Sequence, residues 1–198
     1  MKKTLLIVSI LLVAVVSTAC INNFAVRDLN NKAAVFMQKG DYPQAIERLK
    51  SSLDLDPSVF ETHYNLAVAY TNNEDYINAI SEYEKAKEIK SDVADLYYSL
   101  ATAQNNLYVD MKKGKVRLNP ADDSLYKVKD DEISTDEEYK MSEKESAVSE
   151  NMKAQALENY KKYLEFNPSP EDKEQTEKQM EKLLKSDEEI KNSSEVQQ

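Results

Sequence analysis

Cysteine, histidine and clustered carboxylates are the side chains from which most protein chemistry is built. This chain uses the first two once each, at Cys20 and His63. One thiol can neither close an intrachain disulfide nor assemble a cysteine metal cluster. His63 falls at a large-residue position of an amphipathic segment, where packing explains it, and no nucleophile stands at catalytic spacing from it. Two glycines in 198 residues leave no loop to cradle a phosphate. Asp122-Asp123 and Asp130-Asp131-Glu132 lack the alternating ligands and turn glycine of a calcium loop. The residues therefore read as those of a non-enzyme, with no metal, cofactor or small-molecule substrate expected.

The setting of Cys20 carries more information. MKKTLLIVSILLVAVVSTAC begins with Lys2 and Lys3, runs apolar from Leu5 to Val16, and ends in small residues before the cysteine. This is the order of an export signal, shorter and more one-sided than the roughly 20 apolar residues of a spanning helix. Val16-Ser17-Thr18-Ala19-Cys20 resembles the lipobox of bacterial lipoproteins, with Ala19 at the required small position and Ser17 where Leu is usual. The resemblance implies that residues 1–19 are cleaved and that Cys20 becomes a lipid-modified N-terminus, palmitate among its acyl chains. Residues 20–23 would then be the tether. Each buried CH₂ is worth roughly 0.8 kcal/mol, so several chains anchor durably where one does not. The same resemblance places the protein in the bacterial cell envelope. Ile21 and Asn22 after the cysteine, in place of Asp, lean towards the outer membrane over the inner, on its periplasmic face or at the cell surface.

The formal net charge is -10, and loss of Lys2 and Lys3 with residues 1–19 would make it -12. Such a surface repels phosphate backbones, which argues against nucleic acid and leaves basic protein surfaces open. Few helix breakers, 12 Tyr and 31% charged residues suit a helical protein.

A self-similarity at 34 residues organises the rest. It relates Asp41-Tyr42 to Asp75-Tyr76, Ala45 to Ala79, Leu49 to Tyr83, and Ser52 to Ala86. Each unit reads as two amphipathic helices. In the first, Val26, Leu29, Ala33 and Phe36 fall at helical spacing. Asn22 or Asn23 can cap that helix, and Gly40 permits the reversal that ends it. Asp41 caps the next, with Gln44 as capping-box partner, and Pro57 closes the unit. In the second unit Ala67 and Ala79 would let helices approach while Tyr70 and Tyr83 fill the space beside them. Leu66, Ala67, Tyr70, Ala79, Tyr83 and Ala86, with Ala33, Phe36, Gly40, Ala45, Leu49 and Pro57 before them, resemble the tetratricopeptide repeat (TPR). Lys32, Ser52 and Ser91 depart from its pattern.

The resemblance implies an all-α fold: a TPR-type right-handed stack of helix-turn-helix repeats, with a long insertion in the third repeat and a C-terminal capping helix. The expected division is repeat 1 at 24–57, repeat 2 at 58–91, and a split repeat 3 at 92–107 and 150–168. Tyr97, Leu100 and Ala101 start that third repeat, and Ala156, Tyr160 and Pro168 finish it. Between them lies an insertion, 108–149. It holds the basic cluster Lys112, Lys113, Lys115 and Arg117, and then an acidic stretch in which residues 121–150 carry a net -7. Two readings of the insertion stand side by side. In one, a helix begins near residue 135, with Thr135 and Glu138 as a capping box, and runs to 166. In the other, the stretch is an unstructured acidic excursion. Residues 169–192 read as the cap, with Met180, Leu183 and Leu184 as its apolar stripe, and 193–198 as a tail.

In the resembled family the first helices of the repeats line a concave groove that takes an extended peptide or a partner's helix. Carried over position by position, the groove residues are Asn30, Ala34, Tyr64, Asn65, Val68, Tyr98, Ser99, Thr102 and Asn105. Tyr supplies rigid contact area with a polar tip, and Asn can pair with a peptide backbone. Asn65 matches the asparagine of the family's carboxylate clamp, but Asn30, Asp95 and Ser99 stand where its cations belong, so no clamp for a C-terminal carboxylate is expected. The functional expectation is a lipid-anchored adaptor or scaffold of the cell envelope with a protein or peptide in its groove. The alternatives are an assembly factor or chaperone for outer-membrane or pilus proteins, or a surface-exposed lipoprotein that meets host molecules.

Overall fold

The structure is a computed structural model that describes residues 23–133 and 139–195. Cys20, the leader, and the Thr135–Glu138 pair lie outside the described residues. Helix α1 covers 23–38. It is followed by α2 (Tyr42–Leu55), α3 (Phe60–Asn72), α4 (Tyr76–Ile89), α5 (Ala94–Lys112), strands β1 (Val116–Leu118) and β2 (Leu125–Lys127), a 3₁₀ turn (Asp130–Glu132), α6 (Glu143–Glu165) and α7 (Pro170–Glu195). The chain divides into two compact units, one ending at Glu74 and one beginning at Asp75. No helix among the described residues is long and apolar enough to cross a membrane.

In the first unit, short polar side chains start the helices and small apolar ones bury them. Asp41 accepts the Gln44 amide at 3.3 Å and so caps α2. Asp56 accepts both the amide (2.9 Å) and the hydroxyl (2.6 Å) of Ser58, bonds that hold its carboxyl below the ordinary value and fix the α2–α3 turn. Ala33, Ala45, Leu49, Leu66 and Ala67 are sealed from solvent, each large one contributing about 1.5–3 kcal/mol by burial. His63 is buried and its Nε2 lies 2.9 Å from the Pro57 carbonyl, so it serves as packing and turn support. The departures from the repeat pattern have local reasons. Lys32 is exposed and pairs with Asp28 at 2.7 Å. Ser52 is buried and lies 2.9 Å from Asn30 Nδ2.

In the second unit Asp75 caps α4, accepting from the Asn78 amide and, at 2.7 Å, from its side chain. Helices α5 and α6 pack along each other, with Ala101, Tyr108, Ala156 and Tyr160 of that seam sharing a core with Leu183 of α7. A chain of amides runs beside it. The fully buried Gln104 donates to Gln155 at 3.1 Å and accepts from Asn159 at 2.8 Å. On α7, Leu183 is buried and Met180 packs on the same core, but Leu184 is 55% exposed and leaves the expected stripe.

The insertion is neither an early helix nor a featureless excursion. After α5, Gly114 at φ 68° turns the chain into an antiparallel hairpin pairing Val116 with Lys127 and Leu118 with Leu125. Val116 and Leu125 pack with Leu107 and Met111 of α5, Ile77 of α4 and Val148 of α6. Helix α6 begins only at Glu143, because Ser142 and Glu145 form a reciprocal capping box. The same Glu145 carboxylate accepts the Leu118 amide at 3.2 Å and the Tyr139 hydroxyl at 2.9 Å. Arg117 lies 4.5 Å over the Tyr139 ring. A Cβ on Gly114 would come within 2.6 Å of that ring, so the backbone must pass bare beneath it.

Burial alone would raise the Glu145 carboxyl, but the hydrogen bonds from Ser142, Leu118 and Tyr139 outweigh it and the net shift is downward. A lowered carboxyl stabilises the fold above its unfolded pKa, near 4.3, and that share is lost as pH falls through the folded value. Replacing Glu145 with Gln should therefore lower stability at pH 7 and flatten the acid side of a urea-midpoint-versus-pH curve. Gly40 and Glu74 occupy equivalent repeat positions, both left-handed, at φ 74° and 57°. That conformation costs a non-glycine residue roughly 1 kcal/mol, so Glu74→Gly should raise the unfolding free energy measured in urea by up to about 1 kcal/mol. Gly114→Ala should lower stability by more than 1 kcal/mol, since strain and a ring clash add.

Candidate functional site

The nine positions taken as groove residues meet different fates. In the first unit Asn30 is engaged within the fold: its Nδ2 lies 2.9 Å from each of the Val26 carbonyl, Ser52 Oγ and Thr62 Oγ1, tying α1, α2 and α3 together. Its Oδ1 is sealed and without a partner. Ala34 is exposed, and Tyr64, Asn65 and Val68 are partly exposed on α3. The Tyr64 ring stacks on Phe60 at 5.9 Å.

In the second unit Tyr98, Thr102 and Asn105 turn towards α6. Tyr98 meets Tyr160 edge-on at 5.7 Å and Tyr163 at 5.2 Å. Thr102 Oγ1 donates to the Tyr98 carbonyl at 2.9 Å and lies 3.3 Å from the Tyr160 hydroxyl. Burial raises the pKa of that hydroxyl, while its hydrogen bonds with Thr102 and Asn105 pull the other way. Thr102 and Asn105 therefore help position α6. Ser99 is partly exposed.

The structure adds residues that the sequence reading left out. Val26, Arg27, Asn30 and Asn31 of α1, with Val59, Glu61 and Asn65 on the α3 side, line an open cleft of about 250 Å³. Its lining is thus two valines, three asparagines and one charge of each sign. The volume is below the roughly 300–1,000 Å³ of sites that enclose small molecules, and suits a side chain or a short run of backbone. A signal for these residues existed in the repeat itself. Asn31 stands 34 residues before Asn65, and Arg27 stands 34 before Glu61. Asn30 is the repeat equivalent of Tyr64, and carrying Asn65 back by one repeat adds Asn31 to the set.

Antiparallel helices joined by short turns, with α1 and α3 lining a cleft, define a helical repeat protein. A family model described as TPR repeat matches residues 33–74. One described as tetratricopeptide repeat matches residues 60–93. Residues 33–93 therefore carry tetratricopeptide repeats, and the fold is an all-α TPR stack. Among solved structures, it resembles the first TPR of Spaghetti (RPAP3) bound to the HSP90 peptide SRMEEVD, at 15% identity and TM-score 0.54, over 81% of this chain and 91% of that one. The first TPR domain of human RPAP3 matches at 15% and 0.54, over 85% of this chain and 96% of that one. The TPR2B domain of yeast Sti1, solved with a pHsp70 partner, matches at 15% and 0.51, over 82% of this chain and 98% of that one. At such identities the likeness speaks for the fold alone. No curated protein matches the sequence.

Asn30→Ala should lower stability by about 1–3 kcal/mol in chemical denaturation, because it strips the buried Ser52 and Thr62 hydroxyls of their shared partner. Asn31→Ala, on an exposed position of α1, should stay within about 0.5 kcal/mol of the parent.

Proposed function

We propose that this chain is a lipid-anchored adaptor of the bacterial cell envelope that holds a partner protein by an extended segment laid in the α1–α3 cleft. The TPR fold supports a role in protein–protein interaction. The leader, Ala19 and Cys20 support export and lipid attachment, with the outer membrane favoured over the inner by Ile21 and Asn22. The Spaghetti (RPAP3) structure bound to an HSP90 peptide and the Sti1 TPR2B structure solved with pHsp70 support a peptide as the kind of ligand.

The single observation that carries the reading is the make-up of the cleft. Asn31 and Asn65 offer donors and acceptors to a peptide backbone, and Arg27 and Glu61 offer one charge of each sign. Such a rim favours an internal segment carrying mixed charge over a bare C-terminal carboxylate. Exposed amide pairs hold little energy singly, so the interaction is expected to be modest and sensitive to loss of either asparagine.

Crosslinking of intact cells followed by mass spectrometry tests the proposal. A defined partner should crosslink to α1 and α3, and Asn31→Ala with Asn65→Ala should reduce its recovery at least fivefold while the anchor remains. Unchanged recovery would remove the cleft from the proposal. Labelling with radioactive palmitate tests the anchor separately. Label should be incorporated into the parent and lost in Cys20→Ala, and labelling of neither would exclude lipid attachment.

A further inference from the structure

Phe24 stands in the first turn of α1 and is 75% exposed, more than any other large hydrophobic side chain among the described residues. Val26 and Ala33 are buried and so mark the core face of this helix. Phe24 lies two residues from Val26, about 200° around the helix, so its ring points away from that core. One exposed apolar residue needs no explanation by itself. The short distance along the chain from Cys20 to Phe24 gives this one a meaning.

Three peptide steps separate Cys20 from Asn23, the first described residue of α1. Fully extended they span roughly 11 Å, and Phe24 adds one helical rise of about 1.5 Å. Acyl chains on Cys20 would fill the hydrocarbon and hold that residue in the headgroup layer, which is itself roughly 5–8 Å deep on each side. The Phe24 ring is then kept at the bilayer boundary whatever path residues 20–22 take. Apolar and aromatic side chains favour that boundary over water. The charge of α1 agrees. Arg27 and Lys32 outweigh Asp28, which makes α1 the only helix of net positive charge among the described residues. Anionic headgroups attract such a segment.

We propose that the first turn of α1 docks on the membrane surface, with the Phe24 ring inserted between headgroups and acyl chains; the inference rests on the lipid anchor at Cys20. The anchor holds the chain to the bilayer, and Phe24 fixes how α1 stands on it. The occupant of this face is a lipid surface, distinct from the protein segment of the α1–α3 cleft. The two contacts are nonetheless coupled in space. Val26, Arg27, Asn30 and Asn31 of the cleft follow within about two turns of the start of α1, so its mouth lies within roughly 25 Å of the bilayer. A segment held there must come that close to the same membrane face.

The chain contains no tryptophan, so a single one reports on its own position. Phe24→Trp puts the reporter at the proposed contact, and Val35→Trp puts it on an exposed site of the same helix, about 16 Å further along. Each variant is expressed with its leader in a bacterial host, purified, and incorporated into vesicles of phosphatidylethanolamine and phosphatidylglycerol. Half of the vesicles carry acyl chains brominated close to the headgroup. Flotation reads the anchor, and tryptophan fluorescence reads the contact. Both variants should float. Phe24→Trp should emit to the blue of Val35→Trp and lose about half its emission to the brominated lipid, while Val35→Trp loses little. Phe24→Ser should leave the urea unfolding curve unchanged, because the ring packs on no core. Flotation without quenching of Phe24→Trp would overturn the docking and leave the anchor standing. A blue shift without quenching that grows with protein density would assign Phe24 to a second copy or another protein and overturn the docking as well. Equal quenching at both positions would overturn docking by the first turn alone. A chain that does not float overturns the anchor and this inference with it.

Discussion

The structure depends on close approach of helices, and alanine makes that approach possible. Ala33, Ala45, Ala67, Ala79, Ala101 and Ala156 are all fully buried. A methyl group at these points allows backbones to draw together, and the larger buried residues Leu49, Leu66, Tyr83 and Tyr160 take up the space that remains. Interiors packed in this way respond sharply to added volume, because no slack remains to absorb it. The 34-residue repeat is thus a packing repeat before it is anything else, and the exposed positions between these contacts are left to vary.

Apolar packing is tolerant of small slips, and buried polar groups remove that tolerance. Asn30 meets Ser52 and Thr62 at one register of α1, α2 and α3 only. Gln104 meets Gln155 and Asn159 at one register of α5 against α6. A displaced helix would leave these groups unpaired in a dry interior, which costs more than the bonds contribute. The two seams share no sequence motif. Each answers the same need in its own unit.

The insertion follows the same logic. Its strands are three residues long and could not persist alone. They hold because Val116 and Leu125 add to the core of α4, α5 and α6, and because one carboxylate, Glu145, serves the helix cap, the β1 backbone and Tyr139 together. Exposed carboxylates elsewhere in the chain remain available for long-range attraction of cations. The α1–α3 cleft lies open beside this packing, lined by asparagines, valines and one charge of each sign.

Periodicity is a local property, so the all-α repeat fold, the caps at Asp41 and Asp75, the reversal at Gly40, and the alanine–tyrosine alternation could be read from the chain by itself. The spacing of Ala156, Tyr160 and Pro168 likewise marked a helix belonging with α5 across the long insertion. The hairpin could not be read, because six strand residues leave no periodic trace and their pairing rests on contacts with helices distant in sequence. Nor could the fate of the groove positions. Asn30 and Thr102 look like surface polar residues until Ser52, Thr62 and Tyr160 are brought beside them, and Leu184 looks like core beside Met180 and Leu183 until α7 turns only those two inward. Spacing along one helix says which residues share a face. Only the arrangement of helices around it decides whether that face meets a ligand, another helix or water.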